Sequence, residues 1–145
     1  MEKIIIAIDP AEFASPVINE GFLLARKLEA SIDLVSIIDQ ELDTFIASTG
    51  LMYDNQWEER LASATQELTK IKNENSDLKI EVITSIAYPK EFLLNHIFES
   101  KATYIIIGTH GRSGLAQLFM GGTAEHIVRH STIPVVVVPF KTSEH

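Results

Sequence analysis

The chain has 145 residues, of which 46% are hydrophobic and 22% are charged, a balance that is typical of folded globular proteins and excludes an intrinsically disordered one. We expect one domain over residues 1–145 with a buried hydrophobic core. The 20 acidic and 12 basic residues give a net charge of −8, which disfavours nucleic acids and anionic membranes as partners, and the absence of cysteine excludes disulfides and thiolate chemistry.

The first residues, MEKIIIAID, predict a strand and not a targeting segment. They contain an acid at position 2 and an apolar run that is too short for a signal peptide. No stretch of the sequence has the length of apolar residues that a membrane-spanning helix requires. We therefore expect a cytoplasmic protein.

Apolar runs alternate with helix-like segments along the first half of the chain. Residues 3–8 are rich in isoleucine, which predicts a strand buried on both faces. Ser15 followed by Pro16 predicts the N-cap and the first position of a helix. Residues 32–38 predict a second strand, and apolar residues at steps of four and three predict a long helix over residues 53–73.

The second half of the chain continues the alternation. Residues 79–87 alternate apolar and polar side chains, which indicates a strand close to the sheet edge. Pro89 opens a third helix, and residues 103–107 predict a fourth strand. A glycine-rich segment then leads to a fourth helix over residues 123–130 and a last strand over residues 134–138.

This order of elements predicts an α/β fold. We expect a doubly wound, five-stranded parallel sheet in the strand order 3-2-1-4-5, with helices on both faces. Ligands of such sheets bind beyond the carboxyl ends of the strands, where the strand order reverses. The reversal lies between strands 1 and 4, which end at Asp9 and Gly108. Asp9 and the glycine-rich segment should therefore face each other across a crevice.

Five of the seven glycines lie between Gly108 and Gly122. Gly108 and Gly111 would allow the chain to leave the strand in conformations that other residues disfavour. Gly121 and Gly122 precede the fourth helix, whose first N–H groups can bind phosphate, and the Thr123 hydroxyl can donate to phosphate or cap the helix. The alternative is that these glycines only shape turns. The motif is neither a P-loop nor a dinucleotide fingerprint.

The spacing Gly108-x2-Gly111-x9-Gly121 resembles the ATP-binding signature G-x2-G-x9-G-[S/T] of the universal stress protein family. The opening IIIAID, the VSIID at the end of strand 2 and the segment GGTAEHIVRHSTIPVVVVP are also similar to that family. The resemblance implies a doubly wound fold, a homodimer and ATP bound between the ends of strands 1 and 4. It implies that adenine and ribose contact Ala7, Ile8, Asp9 and Ile37, and that phosphates lie on Gly108, His110, Gly111, Gly121, Gly122 and Thr123, with Ile107 and Ala124 flanking them.

Two residues depart from the family pattern. Gly122 occupies the position of the Ser or Thr that ends the signature, and Thr123 follows one residue too late. The missing hydroxyl removes one hydrogen bond to the γ-phosphate, worth about 1 kcal/mol. Ala87 stands where the family often has a glycine, two residues before Pro89, and we expect this change to affect a turn and not the ligand.

Asp9 is the candidate ligand for the nucleotide sugar or for a Mg²⁺ ion that accompanies the phosphates, and its alternative role is that of a turn aspartate. His110 is a candidate phosphate donor. No catalytic base or nucleophile is apparent beside it, so we assign no catalytic residue and expect at most slow ATP hydrolysis.

Four consecutive valines in the last strand predict a dimer interface, namely Val135, Val136, Val137 and Val138. A bare sheet edge exposes unpaired backbone groups, and pairing with the same strand of a second copy removes that hazard.

Together with the glycine-rich segment, the family resemblance implies an ATP-binding stress-response or regulatory module with an unidentified protein partner. The alternative is a dimeric stress protein that binds no nucleotide and acts through protein contacts.

Overall fold

The computed structural model describes residues 2–9, 14–40, 56–109 and 122–139. Within these residues the chain forms five strands and four helices in strict alternation, with one helix after each of the first four strands. The elements are β1 (Lys3–Ala7), α1 (Ala14–Leu28), β2 (Ser31–Asp39), α2 (Gln56–Asn73), β3 (Ile80–Ala87), α3 (Pro89–Ser100), β4 (Tyr104–Gly108), α4 (Gly122–His130) and β5 (Val135–Val138).

The five strands form one parallel sheet in the order β3-β2-β1-β4-β5, as predicted. The central strand β1 pairs with β2 on one side and with β4 on the other, so the strand order reverses between β1 and β4. β3 and β5 lie at the two edges, which confirms the edge position predicted for β3.

Alternate residues of the central strands enter two separate cores. Ile4 and Ile6 pack with residues of α1 and α2, whereas Ile5 packs with residues of α3 and α4. All three isoleucines are fully buried. Because successive side chains of a strand point to opposite faces, a continuous apolar run is what a sheet covered on both faces requires. The helices therefore form a layer on each side of the sheet.

Several boundaries differ from the predicted ones. α1 begins at Ala14, so Ser15 lies inside its first turn and is not the N-cap that the sequence predicted. α3 begins with Pro89 as predicted, and it ends before Lys101, whose φ of 58° is left-handed. Ala87 has no left-handed φ, so the backbone does not require a glycine there. Residues 53–55 of the predicted second helix lie outside the described residues.

None of the helices in the described ranges is long and apolar enough to cross a membrane.

Candidate functional site

The carboxyl ends of β1 and β4 lie side by side, and the neighbouring β2 continues beyond them to Asp39. Ala7 pairs with Ile107 of β4 on one side and with Val35 of β2 on the other. The backbone N–H of Ile8 donates to the carbonyl of Val35 at 2.9 Å, which continues the pairing one residue beyond β1. The edge where the strand order reverses thus brings together five of the predicted site residues, namely Ala7, Ile8, Asp9, Ile107 and Gly108.

The apolar residues of this edge belong to different faces of the sheet. Ala7 and Ile107 are buried in the core under α3 and α4, and half-buried Ile37 packs against the same core. Ile8 is buried in the opposite core under α1 and α2. Their side chains therefore fill the two cores, and a ligand beyond the strand ends would meet mainly the backbone of Ala7 and Ile8.

Gly108 is required by packing and not by its backbone conformation. A Cβ atom at this position would lie 2.9 Å from Cγ2 of Val17, in the first turn of α1. The φ of Gly108 lies outside the left-handed region, so the special backbone conformation expected from the sequence is wrong at this residue. The glycine lets α1 approach the end of β4, and the first turn of α1 therefore lies beside the strand ends where the order reverses.

Gly122 begins α4 at the carboxyl edge of the sheet. It is exposed, Thr123 is half-buried, and Ala124 is 2% exposed and packs into the core under α3 and α4. Ala124 thus anchors the first turn, while the N–H groups of that turn have no partner within the helix. N–H groups in this position can bind an anion.

Lys90 is a cation beside Gly122 that the sequence motifs do not indicate. A Cβ atom on Gly122 would lie 3.9 Å from Nζ of Lys90 and 4.0 Å from its Cε. Lys90 is exposed and is the second residue of α3. Its position after Pro89 was visible in the sequence as a base in the first turn of a helix, but nothing in the sequence placed it near residue 122.

The electrostatic surroundings of Lys90 favour an anion. Its ammonium lies near the amino ends of α3 and α4, where the helix dipoles are positive and a cation is disfavoured by about 0.3–1 kcal/mol. In the part of the chain that the structure describes, no carboxylate forms an ion pair with it. The pKa of His126, one turn into α4, is lowered by burial and, to a smaller extent, by His130 and by Lys90. The ammonium of Lys90 and the positive ends of the two helix dipoles therefore concentrate positive charge beside Gly122.

The remaining predicted site residues are placed only in part. Asp9 is half-buried and lies two residues beyond the end of β1. His110, Gly111 and Gly121 lie outside the described residues, so their predicted phosphate contacts stay predictions. Among the residues that are described, no three His, Asp or Glu side chains converge on a point that could hold a metal ion.

β5 occupies the sheet edge on the α4 side of the molecule. Its side chains Val135, Val136 and Val137 are half-buried, and Val138 is 7% exposed. β4 pairs with one edge of β5, and within the described ranges no strand pairs with the other edge.

The sequence matches the universal stress protein family over residues 1–139. The chain belongs to this family. It is 24% identical over 144 residues to the universal stress protein YxiE of Bacillus subtilis, and the match covers 94% of this chain and 97% of that relative.

Solved structures of other universal stress proteins share the fold. UspA from Lactobacillus plantarum has a TM-score of 0.79 at 16% identity, covering 94% of this chain and 97% of its own. A universal stress protein in complex with cAMP has a TM-score of 0.69 at 14% identity, covering 97% and 98%. The Archaeoglobus fulgidus protein in complex with dAMP has a TM-score of 0.66 at 16% identity, covering 95% and 98%.

Proposed function

We propose that this universal stress protein binds ATP in the crevice between the carboxyl ends of β1 and β4 and acts as a nucleotide-dependent regulatory module. The observation that carries the proposal is the positive charge at Gly122, where the amino end of α4 meets the ammonium of Lys90. Two proteins with the same fold are described in complex with adenine nucleotides, cAMP and dAMP, which supports a nucleotide as the ligand.

The base and sugar would lie against the ends of β1 and β2. In this proposal the backbone of Ala7 and Ile8 and the half-buried Ile37 meet the adenine, because their side chains are largely committed to the two cores. Asp9, two residues beyond β1, would accept hydrogen bonds from the ribose or bind a Mg²⁺ ion. A carboxylate oxygen suits Mg²⁺, and the nucleotide phosphates would supply further oxygen ligands.

The phosphates would lie at the start of α4. The ammonium of Lys90 would replace the hydrogen bond that a Ser or Thr hydroxyl at position 122 would donate to phosphate. An ammonium forms charge-assisted hydrogen bonds with phosphate oxygens. Backbone N–H groups would supply the other contacts, and Ile107 would line the crevice beside them. The proposed phosphate residues are Gly108, His110, Gly111, Gly121, Gly122 and Thr123, and Ala124 flanks them.

The homodimer would form through the edge of β5 that pairs with no strand of the described residues. The N–H of Ile105 donates to the carbonyl of Pro134 and the N–H of Thr109 to that of Val138, both at 3.1 Å. The backbone groups of the even-numbered residues of this strand therefore point towards β4. The backbone groups of Val135 and Val137 therefore point away from β4. Val137→Pro should convert the dimer to a monomer in analytical ultracentrifugation, whereas Val137→Thr should leave it dimeric. A wild type that sediments as a monomer at micromolar concentration contradicts the proposal.

We place the protein in the cytoplasm. Disulfides are rare in that compartment, which is consistent with a sequence that contains no cysteine. In this proposal a partner protein responds to the nucleotide-bound state. A second candidate function, a dimer that works through protein contacts without nucleotide, is favoured by the absence of a hydroxyl at Gly122.

Calorimetric titration with ATP, AMP and adenosine, each with and without Mg²⁺, separates the two functions. We expect ATP to bind more tightly than adenosine, because phosphate contacts dominate the site. Gly121→Val should abolish binding while circular dichroism shows a folded protein, and Gly122→Ser should tighten ATP binding by up to about tenfold. The space beside Gly122 accepts a Cβ atom at ordinary contact distances. If wild type and Gly122→Ser both fail to bind ATP at millimolar concentration, the second function is correct.

A further inference from the structure

Two histidines form a pair on the exposed side of α4. His126 and His130 are one helical turn apart, and their ring centroids are separated by 4.4 Å with an angle of 47° between the planes. Side chains four residues apart lie on the same face of a helix. His126 is half-buried and His130 is exposed, whereas Ala124 and Ile127 occupy the core side of α4.

Neighbouring acids do not engage this pair. Glu125, the acid nearest in sequence, forms an ion pair with Arg129 at 3.0 Å. Within the described residues no carboxylate forms an ion pair with His126 or His130, so both imidazoles keep a nitrogen available in their neutral form. His130 is the last residue of α4, where the helix dipole favours a cation, whereas His126 lies in the middle of the helix, within the electrostatic reach of Lys90.

We propose that His126 and His130 chelate a late first-row divalent cation, Ni²⁺, Cu²⁺ or Zn²⁺. Imidazole nitrogen suits these metals, whereas Mg²⁺ prefers oxygen ligands. In the described ranges no third His, Asp or Glu side chain converges on the pair, so the proposed site has two imidazole ligands, and water would complete the coordination.

The chelate would tie together the last two turns of α4. The first turn of the same helix lies at the proposed phosphate site, so a bound metal would stabilise the element that positions Gly122 and Thr123. Neither histidine is a proposed nucleotide contact, so the metal site does not require bound nucleotide, although Lys90 acts electrostatically on His126.

The test is calorimetric titration of tag-free, metal-free protein with NiCl₂ in the absence of nucleotide. The wild type is compared with His126→Gln and with a spacing control that combines His130→Gln with Val128→His. The control keeps five histidines in the chain and uses Val128, which is 43% exposed, but it places the two imidazoles two residues apart on different sides of the helix.

We expect one Ni²⁺ per chain in the wild type, and a loss of affinity on the order of a hundredfold in both variants, because a second linked ligand raises affinity by about that factor. MgCl₂ should give no binding at this site. Circular dichroism should show that both variants keep the fold, since the substituted side chains lie outside the core. Equal Ni²⁺ affinity in the wild type and the spacing control would overturn the proposal, because it would show that the histidines act singly.

Discussion

Nε2 of His96 on α3 lies 2.8 Å from Oδ2 of Asp33, a carboxylate of β2 that is 2% exposed. Nζ of Lys3 lies 3.5 Å from the same oxygen. A buried carboxylate is stable only when donors surround it, so this contact holds α3 against the sheet. Lys90 lies on the same helix, and the contact therefore also contributes to the position of the ammonium beside Gly122.

We expect His96→Leu to lower the free energy of unfolding by roughly 1–3 kcal/mol, because it removes the donor from a buried acceptor. His96→Gln retains a side-chain N–H and should cost less. Urea denaturation measures both. In the double variant Asp33→Leu with His96→Leu, the loss should be smaller than the sum of the two single losses, and full additivity would show that the two residues are not coupled.

Lys90→Met should weaken ATP binding by roughly tenfold, which is the value of one charge-assisted hydrogen bond to phosphate. Adenosine should bind equally to the variant and the wild type, because it has no phosphate. Lys72→Met, which removes a charge from the last turn of α2, is the matched control. Equal losses of ATP affinity in the two variants would indicate a general effect of net charge.

Gly108→Ala should destabilise the protein by about 1–3 kcal/mol, the usual cost of overpacking a core. The added methyl group would lie 2.9 Å from Cγ2 of Val17. Val17→Ala removes that atom, so the double variant should recover part of the stability relative to Gly108→Ala. Thermal denaturation provides the comparison, and a lack of recovery would place the strain elsewhere.

The pKa of His126 is lowered from its ordinary value of about 6.5 by burial, by His130 and by Lys90. The unfolded chain therefore binds a proton at this site at a higher pH than the folded chain does. Its contribution to stability is fully present above the unfolded pKa and decreases as the pH falls towards the folded pKa. We expect Lys90→Met to raise the pKa of His126 in an NMR titration, whereas Lys72→Met leaves it unchanged.

The order of the strands and the point at which that order reverses could be predicted from the amino-acid pattern. Apolar runs of strand length that alternate with helical periodicity leave few topologies, since parallel connections are right-handed and helices must cover both faces. The glycine spacing and the opening IIIAID were sufficient to indicate the family, because these features are local in the chain.

The contacts between separate elements could be found only in the folded molecule. Gly108 packs against Val17, Lys90 lies beside Gly122, and His96 binds Asp33, 63 residues away. Each of these distances depends on how closely two helices, or a helix and a strand, approach each other. Local propensity does not contain that information, because the approach is set by the packing of side chains from the whole core.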